Sequence, residues 1–208
     1  MICSPINFRE QEINDTTIKF RSAKKESDKL FRCTVKNCEL ILDEPCWTGL
    51  LDSFFQDCTL VAKKECAQMW DGCRWINCKF IGEFSMSFGG RNEDCSLPPG
   101  PMVVDCDFSQ TTLASTMCNA NLATIKYPLW PHVTILEPNL HKQELCALKF
   151  SPAINGWWFL YSDDSHQSYS SKTFNWDRLV KSYIDTVDFE PYTDEIRSTL
   201  SRLPYVIM

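Results

Sequence analysis

The chain has 208 residues, 44% of them apolar, with 27 acids against 21 bases. That is enough apolar material for one sizeable core, and it excludes a wholly disordered chain. Acids exceed bases by the same small margin before and after residue 150, so no basic stripe for phosphate contacts stands out and no direct nucleic-acid binding is expected.

At the N-terminus, Met1–Ile6 has neither the basic nor the apolar region of a signal peptide. No apolar run reaches the ~20 residues that span a bilayer. The twelve cysteines fall below the density of a disulfide scaffold. The expectation is a cytoplasmic protein with no membrane partner and with reduced, mostly buried thiols, which pack as small hydrophobes.

Along the chain, four strings match: Asn37-Cys38-Glu39-Leu40, Asp57-Cys58-Thr59-Leu60, Asn77-Cys78-Lys79-Phe80 and Asp105-Cys106-Asp107-Phe108. The first three are 20 residues apart and the fourth is 28 further on. The excess fits a looped-out insertion near 89–101, which is rich in glycine and proline. Counting back 20 from Cys38 reaches Ile18-Lys19-Phe20, and counting forward 40 from Cys106 reaches Cys146-Ala147-Leu148. Ile125-Lys126-Tyr127 lies one residue out of phase.

A finer period runs inside each coil. Cys33, Cys38, Cys58, Cys73 and Cys78 share one phase of five, and two residues after each comes Val35, Leu40, Leu60, Trp75 or Phe80. Ser53 with Phe55, and Thr48 with Leu50, fill the same slots. Small–polar–large is a period-two alternation in which two inward side chains flank an outward one. Repeated every five residues, it predicts a short extended segment followed by a corner, with four segments to a coil.

This pattern resembles the pentapeptide-repeat family over about residues 16–150. The resemblance implies a mainly β fold: a right-handed quadrilateral β-helix of about 20-residue coils, with Leu40, Leu60, Phe80 and Phe108 stacked inside beside Cys38, Cys58, Cys78 and Cys106. The repeat is degenerate. Asp43, Lys63 and Glu83 carry charge where the family places a small residue, with Pro45, Glu65 and Ser85 at the central slots. Recurrence every 20 residues reads as one polar corner, after which Cys46, Cys66 and Met86 restore the inward ladder.

Residues 151–208 change character, so the expected division is a β-helix over 1–150 and an α-helical cap over 151–208. Gly156-Trp157-Trp158-Phe159-Leu160-Tyr161 reads as an aromatic strand, and Ser162–His166 as a loop. Trp176, Leu179, Val180, Tyr183, Ile184 and Val187 follow helical spacing, with Asn175 as cap and Asp177 at the positive end of the dipole. A second helix runs through Ile196, Leu200 and Leu203, from Thr193 to a stop at Pro204. Such a segment suits a solenoid, whose open end exposes strand edges and core.

Reactive chemistry finds little support. Cys33-x4-Cys38 and Cys73-x4-Cys78 could be drawn as a zinc site, but inward stacking accounts for their spacing without a metal. Asp105 and Asp107 flank Cys106 and oppose a thiolate. His132, His141 and His166 have no triad context, although His166 beside Asp163 and Asp164 could do acid–base work. No enzyme activity, cofactor or metal is expected.

A rigid repeat surface suits recognition of another macromolecule, and three roles remain open. One is a protein-binding inhibitor, such as an immunity protein that neutralises a bacterial toxin, or another antagonist of a cellular enzyme. The second, implied by the resemblance, is a DNA mimic that protects a topoisomerase. The third is a scaffold or adaptor. The chain is expected to be a monomer, or a dimer through its C-terminal helix. The candidate partner-binding residues are Trp157, Trp158, Asp163 and Asp164 in one patch, with packing of both tryptophans under the cap as the competing reading. Glu39, Thr59, Lys79 and Asp107 form a second, flatter ladder.

Overall fold

In the computed structural model, residues 1–3, 5–20, 28–43, 49–70, 72–88, 97, 100–162, 169–183 and 188–208 are described. Short parallel strands stack into a β-solenoid, and helices gather at the C-terminal end. Three faces recur in each coil. The first face stacks Asn7–Arg9, Lys29–Phe31 and Gly49–Leu51. The second stacks Glu12–Asn14, Thr34–Lys36, Phe54–Gln56, Arg74–Ile76 and Val103–Val104. The third runs from Ile2–Cys3 through Thr17–Phe20, Glu39–Leu42, Thr59–Ala62 and Lys79–Phe88 to Asp107–Leu113. Of the expected fourth side, Cys66–Trp70 pairs with Phe84–Phe88, while other stretches at that level (21–27 and 44–48) lie outside the described residues.

The corners that lead into the second and third faces are turned by one residue in the left-handed region. Glu10, Asp15, Arg32, Asn37, Asp52, Asp57, Asn77 and Asp105 all have φ between 49° and 54°. Asn and Asp tolerate that conformation best among residues with a Cβ, which explains why each matching string opens on Asn or Asp. The corner amides are satisfied by neighbouring coils: Asn37, Asp57 and Asn77 N–H donate to Gln56, Ile76 and Val104 carbonyls at 3.0 Å.

The inner ladders form as the spacing predicts. Leu40, Leu60, Phe80 and Phe108 are fully buried, and the Phe80 and Phe108 rings stack at 4.4 Å. A second stack, Ile13, Val35, Phe55, Trp75 and Val103, faces it from the second face, with Phe55 and Trp75 stacked at 4.0 Å. As these ladders gain bulk, the position at the end of the third face loses it: Phe20, Leu42, Ala62, Gly82. Gly82 has φ +107°, and a Cβ there would lie 2.2 Å from the Ala62 carbonyl oxygen. Gly82→Ala is therefore expected to cost at least about 2 kcal/mol in a denaturant titration, through backbone clash and a disfavoured φ.

The register departs from an even 20 in instructive ways. Ile18, not Phe20, pairs with Leu40, so the first coil is two residues longer than expected. Cys66 pairs with Phe84 instead of aligning with Met86, so a later coil is two shorter; Cys46 lies outside the described residues. Both slips are even, and with a side-chain period of two an even slip keeps every inward residue inward. The odd slip, from Lys79↔Asp107 to Ile81↔Gln110, requires a β-bulge. Most of the 89–101 insertion lies outside the described residues, but the 28-residue step it causes is preserved in Trp75↔Val103.

The solenoid ends earlier than residue 150. Its last parallel contacts are single bridges, Val103↔Ala120 and Asp107↔Lys126, and the out-of-phase Tyr127 is buried beside them. Cys146-Ala147-Leu148 is not a coil: helix α1 covers Lys142–Ala147. The aromatic run is not a strand either, because helix α2 spans Pro152–Ser162. Pro152 suits the first helical turn, where it forfeits no hydrogen bond. Ile154 and Trp158, four residues apart, then share the buried side. The Ser151 amide and hydroxyl donate to Glu195 at 2.6 and 2.7 Å, which fixes the helix start.

The two later helices start where the sequence reading places them, although the second ends at Leu200, before Leu203 and the expected stop at Pro204. Helix α3 covers Trp176–Tyr183, with the Arg178 amide donating to Asn175 Oδ1 at 3.0 Å as the cap, and helix α4 covers Thr193–Leu200. The expected continuation of α3 over 184–187 lies outside the described residues.

The cap has its own core, centred on Val133, Trp158, Phe174, Trp176 and Phe189. Its antiparallel strands His132–Leu136, Ser171–Asn175 and Val206–Ile207 continue the fourth side, through Ser115–Cys118, which pairs with Ser87–Phe88 on one edge and with Ser171–Phe174 on the other. The last solenoid edge is thereby paired rather than open.

Candidate partner-binding surface

Glu39, Thr59, Lys79 and Asp107 lie side by side on the outside of the third face, with Thr17 below them. Their backbones hold the ladder rigid: the amides of Glu39, Thr59, Lys79 and Asp107 donate to the Thr16, Cys38, Cys58 and Cys78 carbonyls at 2.9–3.1 Å. Lys126 extends the row, 3.7 Å from Asp107. Partial burial pushes the Asp107 carboxyl up, but the Ser109 hydroxyl and amide and then Lys126 outweigh it and hold the group below the usual carboxylate range.

The aromatic candidates belong to the cap. Trp158 is 1% exposed, with its indole N–H donating to the Leu145 carbonyl at 2.8 Å. Trp157 is half-buried, its ring against Phe174, Trp176 and Phe189. Packing under the cap accounts for both, and Trp158 has no surface to offer a partner. Asp163, Asp164 and His166 lie outside the described residues. The structure therefore keeps one candidate group together, the third-face ladder, and separates it from the tryptophans.

The thiols are turned inward. Cys38, Cys58, Cys78 and Cys106 each approach a carbonyl of the preceding coil, those of Ile13, Val35, Phe55 and Trp75, at 3.5–3.7 Å. Cys33 and Cys73 occupy a different corner, near the carbonyls of Phe31 and Leu50. The two members of each pair drawn as a zinc site, Cys33 with Cys38 and Cys73 with Cys78, thus lie at separate corners. Among the described residues no group of three or more His, Cys, Asp or Glu could hold a metal ion. Hydrogen bonding with the Cys106 and Cys58 thiols, and then burial, push the Cys78 thiol far up, and burial raises Cys38. Cys3 and Cys146 are exposed, whereas Cys33, Cys38, Cys58, Cys66, Cys73, Cys78 and Cys106 are buried. A thiol reagent followed by peptide mass mapping is expected to modify Cys3 and Cys146 in the native protein, and Cys38, Cys58, Cys78 and Cys106 only after denaturation.

Two charged or titratable features escaped the sequence reading because both join residues far apart in the chain. Arg178, on α3, reaches Glu65 at 2.6 Å and also pairs with Glu83, two members of the polar corner. That corner, with Lys19 on Asp43 at 3.0 Å, is where the cap helix meets the solenoid. His132 is buried at the same junction. Its Nδ1 donates to the Leu129 carbonyl, and its Nε2 accepts from the Leu113 amide and from Asn175 Nδ2, all at 3.0 Å. Burial holds the imidazole below its ordinary value, against the Leu129 carbonyl and Asp177. Among the described residues, no helix is long and apolar enough to cross a membrane. Comparison with known family models, curated proteins and solved structures finds nothing that matches this chain.

Proposed function

We propose that the protein is a non-enzymatic binder of another protein, working as an immunity-type inhibitor or antagonist in the cytoplasm that covers a toxin's or cellular enzyme's active or docking surface. The observation that carries this reading is the in-register outward ladder Thr17, Glu39, Thr59, Lys79, Asp107 on a backbone locked coil to coil. Side chains held at steps of about 4.8 Å form a flat surface whose ordering cost is met by folding, before any partner arrives. The ladder alternates acidic, neutral and basic groups, which favours a specific protein face over a polyanion. The corner chemistry of Asn or Asp, then Cys, then Leu or Phe two residues later, supports placing the solenoid as a degenerate relative of pentapeptide-repeat proteins.

Co-purification with the neighbouring gene product, followed by calorimetry, tests the reading. One-to-one binding that Lys79→Glu weakens is the expected result. Retention of duplex DNA in place of any protein, or turnover of a substrate by the isolated chain, would overturn it.

A further inference from the structure

The first face differs chemically from the other two. Its described strands, Asn7–Arg9, Lys29–Phe31 and Gly49–Leu51, carry two bases, Arg9 and Lys29, and no acid, in a chain of net charge −6. Strands of the second and third faces carry both signs. Arg9, Phe31 and Leu51 stand directly above one another in register. Two guanidinium groups sit over the Phe31 ring, that of Arg9 at 5.0 Å and that of Arg32 at 4.9 Å. Arg32 is steadied from its sides by Glu10 at 3.9 Å and Asp52 at 3.8 Å. Leu51 is 47% exposed beside them.

Arg32 already faces the Glu10 and Asp52 carboxylates, so the N–H fork left for a ligand is that of Arg9, and its stack on Phe31 reduces the rotamer freedom that binding would otherwise cost. The fork matches a carboxylate bidentately. Because the Arg9 and Arg32 side chains already cover Phe31, that ring is poorly placed to stack a nucleobase, and the exposed Leu51 offers an apolar contact that a phosphate backbone does not use.

We infer that the first face docks an extended acidic segment of a partner protein, with a carboxylate on the Arg9 guanidinium stacked over Phe31 and an apolar side chain on Leu51. Arg9 and Leu51 are two coil steps apart, about 10 Å, which a polyproline II chain, rising about 3.1 Å per residue and returning a side chain to the same face every third residue, covers in about three residues. The segment therefore carries its carboxylate and its apolar side chain three positions apart and runs along the solenoid axis, with Lys29 taking a second acid. This assignment rests on the protein-binding reading above and adds a face and a partner chemistry to it.

The test is fluorescence anisotropy with a labelled peptide holding paired glutamates three positions from a leucine. The controls are a lysine-for-glutamate peptide and a single-stranded oligonucleotide of equal charge. Saturable binding of the acidic peptide is expected. It should weaken on the order of tenfold in Arg9→Glu/Lys29→Glu, weaken by a smaller factor in Leu51→Ser, and stay unchanged in the third-face variant Lys79→Glu. Unchanged thermal melts will show that the variants fold. Equal binding of the lysine peptide, an equal loss in Lys79→Glu, or tighter binding of the oligonucleotide to the same residues overturns the assignment. A natural partner that is retained by Arg9→Glu/Lys29→Glu as well as by the parent chain also overturns it, while leaving the protein-binding reading standing.

Discussion

Replacing Phe55 with alanine is expected to remove about 3–5 kcal/mol of stability, whereas Phe54→Ala should cost under about 1 kcal/mol. The two residues adjoin in one three-residue strand, and only the period-two alternation separates them. Phe55 is fully buried and stacks on Trp75 at 4.0 Å, and Trp75 in turn touches Trp70 and Phe80. Truncation leaves a ring-sized cavity in the middle of the stack, where neighbouring coils are held by backbone hydrogen bonds on both sides and cannot collapse into it. The Phe54 side chain stands outside, in register with Thr34 and Arg74. Because domain stabilities total only about 5–15 kcal/mol, Phe55→Ala is expected to be largely unfolded at modest denaturant concentrations. Chemical denaturation followed by far-ultraviolet circular dichroism separates the two outcomes, and similar losses from both substitutions would mean that the inward and outward assignment is wrong.

The second large effect is expected at His132. Its Nε2 is the acceptor for the Leu113 amide of the solenoid and for Asn175 Nδ2 of the cap. His132→Leu leaves two buried donors without an acceptor, at about 1–3 kcal/mol for each. The same geometry sets a pH dependence. Burial disfavours the charged imidazolium and holds the pKa below the unfolded value of about 6.5, and protonation would also place an N–H at Nε2 facing two other donors. A group whose basic form is favoured in the folded state contributes fully above the unfolded pKa. Stability from His132 is therefore complete above about pH 6.5 and is lost as pH falls through the depressed folded value. Urea midpoints measured from pH 7.5 downward should fall for the parent chain and fall less steeply for His132→Leu. Parallel pH profiles for the two proteins would show that the junction histidine is not the titrating group.

The solenoid was legible in the sequence because its chemistry is local. Each corner into the second or third face needs one residue that accepts a left-handed φ, one small residue behind it and one large apolar residue two further on, and Asn37-Cys38-Glu39-Leu40 states all three. The slips at Phe20 and Met86 were not legible. An even slip leaves the alternation of buried and exposed residues unchanged, so nothing in the pattern registers it. The aromatic run at 156–161 misled for a related reason. Period alone does not separate a short apolar run in a helix from one in a strand, and the deciding signals, Ser151-Pro152 and the Ile154–Trp158 spacing, stand just upstream of the tryptophans. Arg178 and His132 act across long sequence separations, where Glu65, Glu83 and Leu113 become their partners only through the fold. The first-face stack was invisible for the same reason, since Arg9 and Phe31 meet only once the coils are wound.

Interstrand nuclear Overhauser contacts test the stacked register most directly. The account predicts backbone contacts joining Ile18 to Leu40, Leu40 to Leu60, Leu60 to Phe80, and Cys66 to Phe84. Contacts from Phe20 to Leu40 in place of Ile18, from Cys66 to Met86 in place of Phe84, or none at 20-residue spacing through the Cys38–Phe80 region, would contradict it.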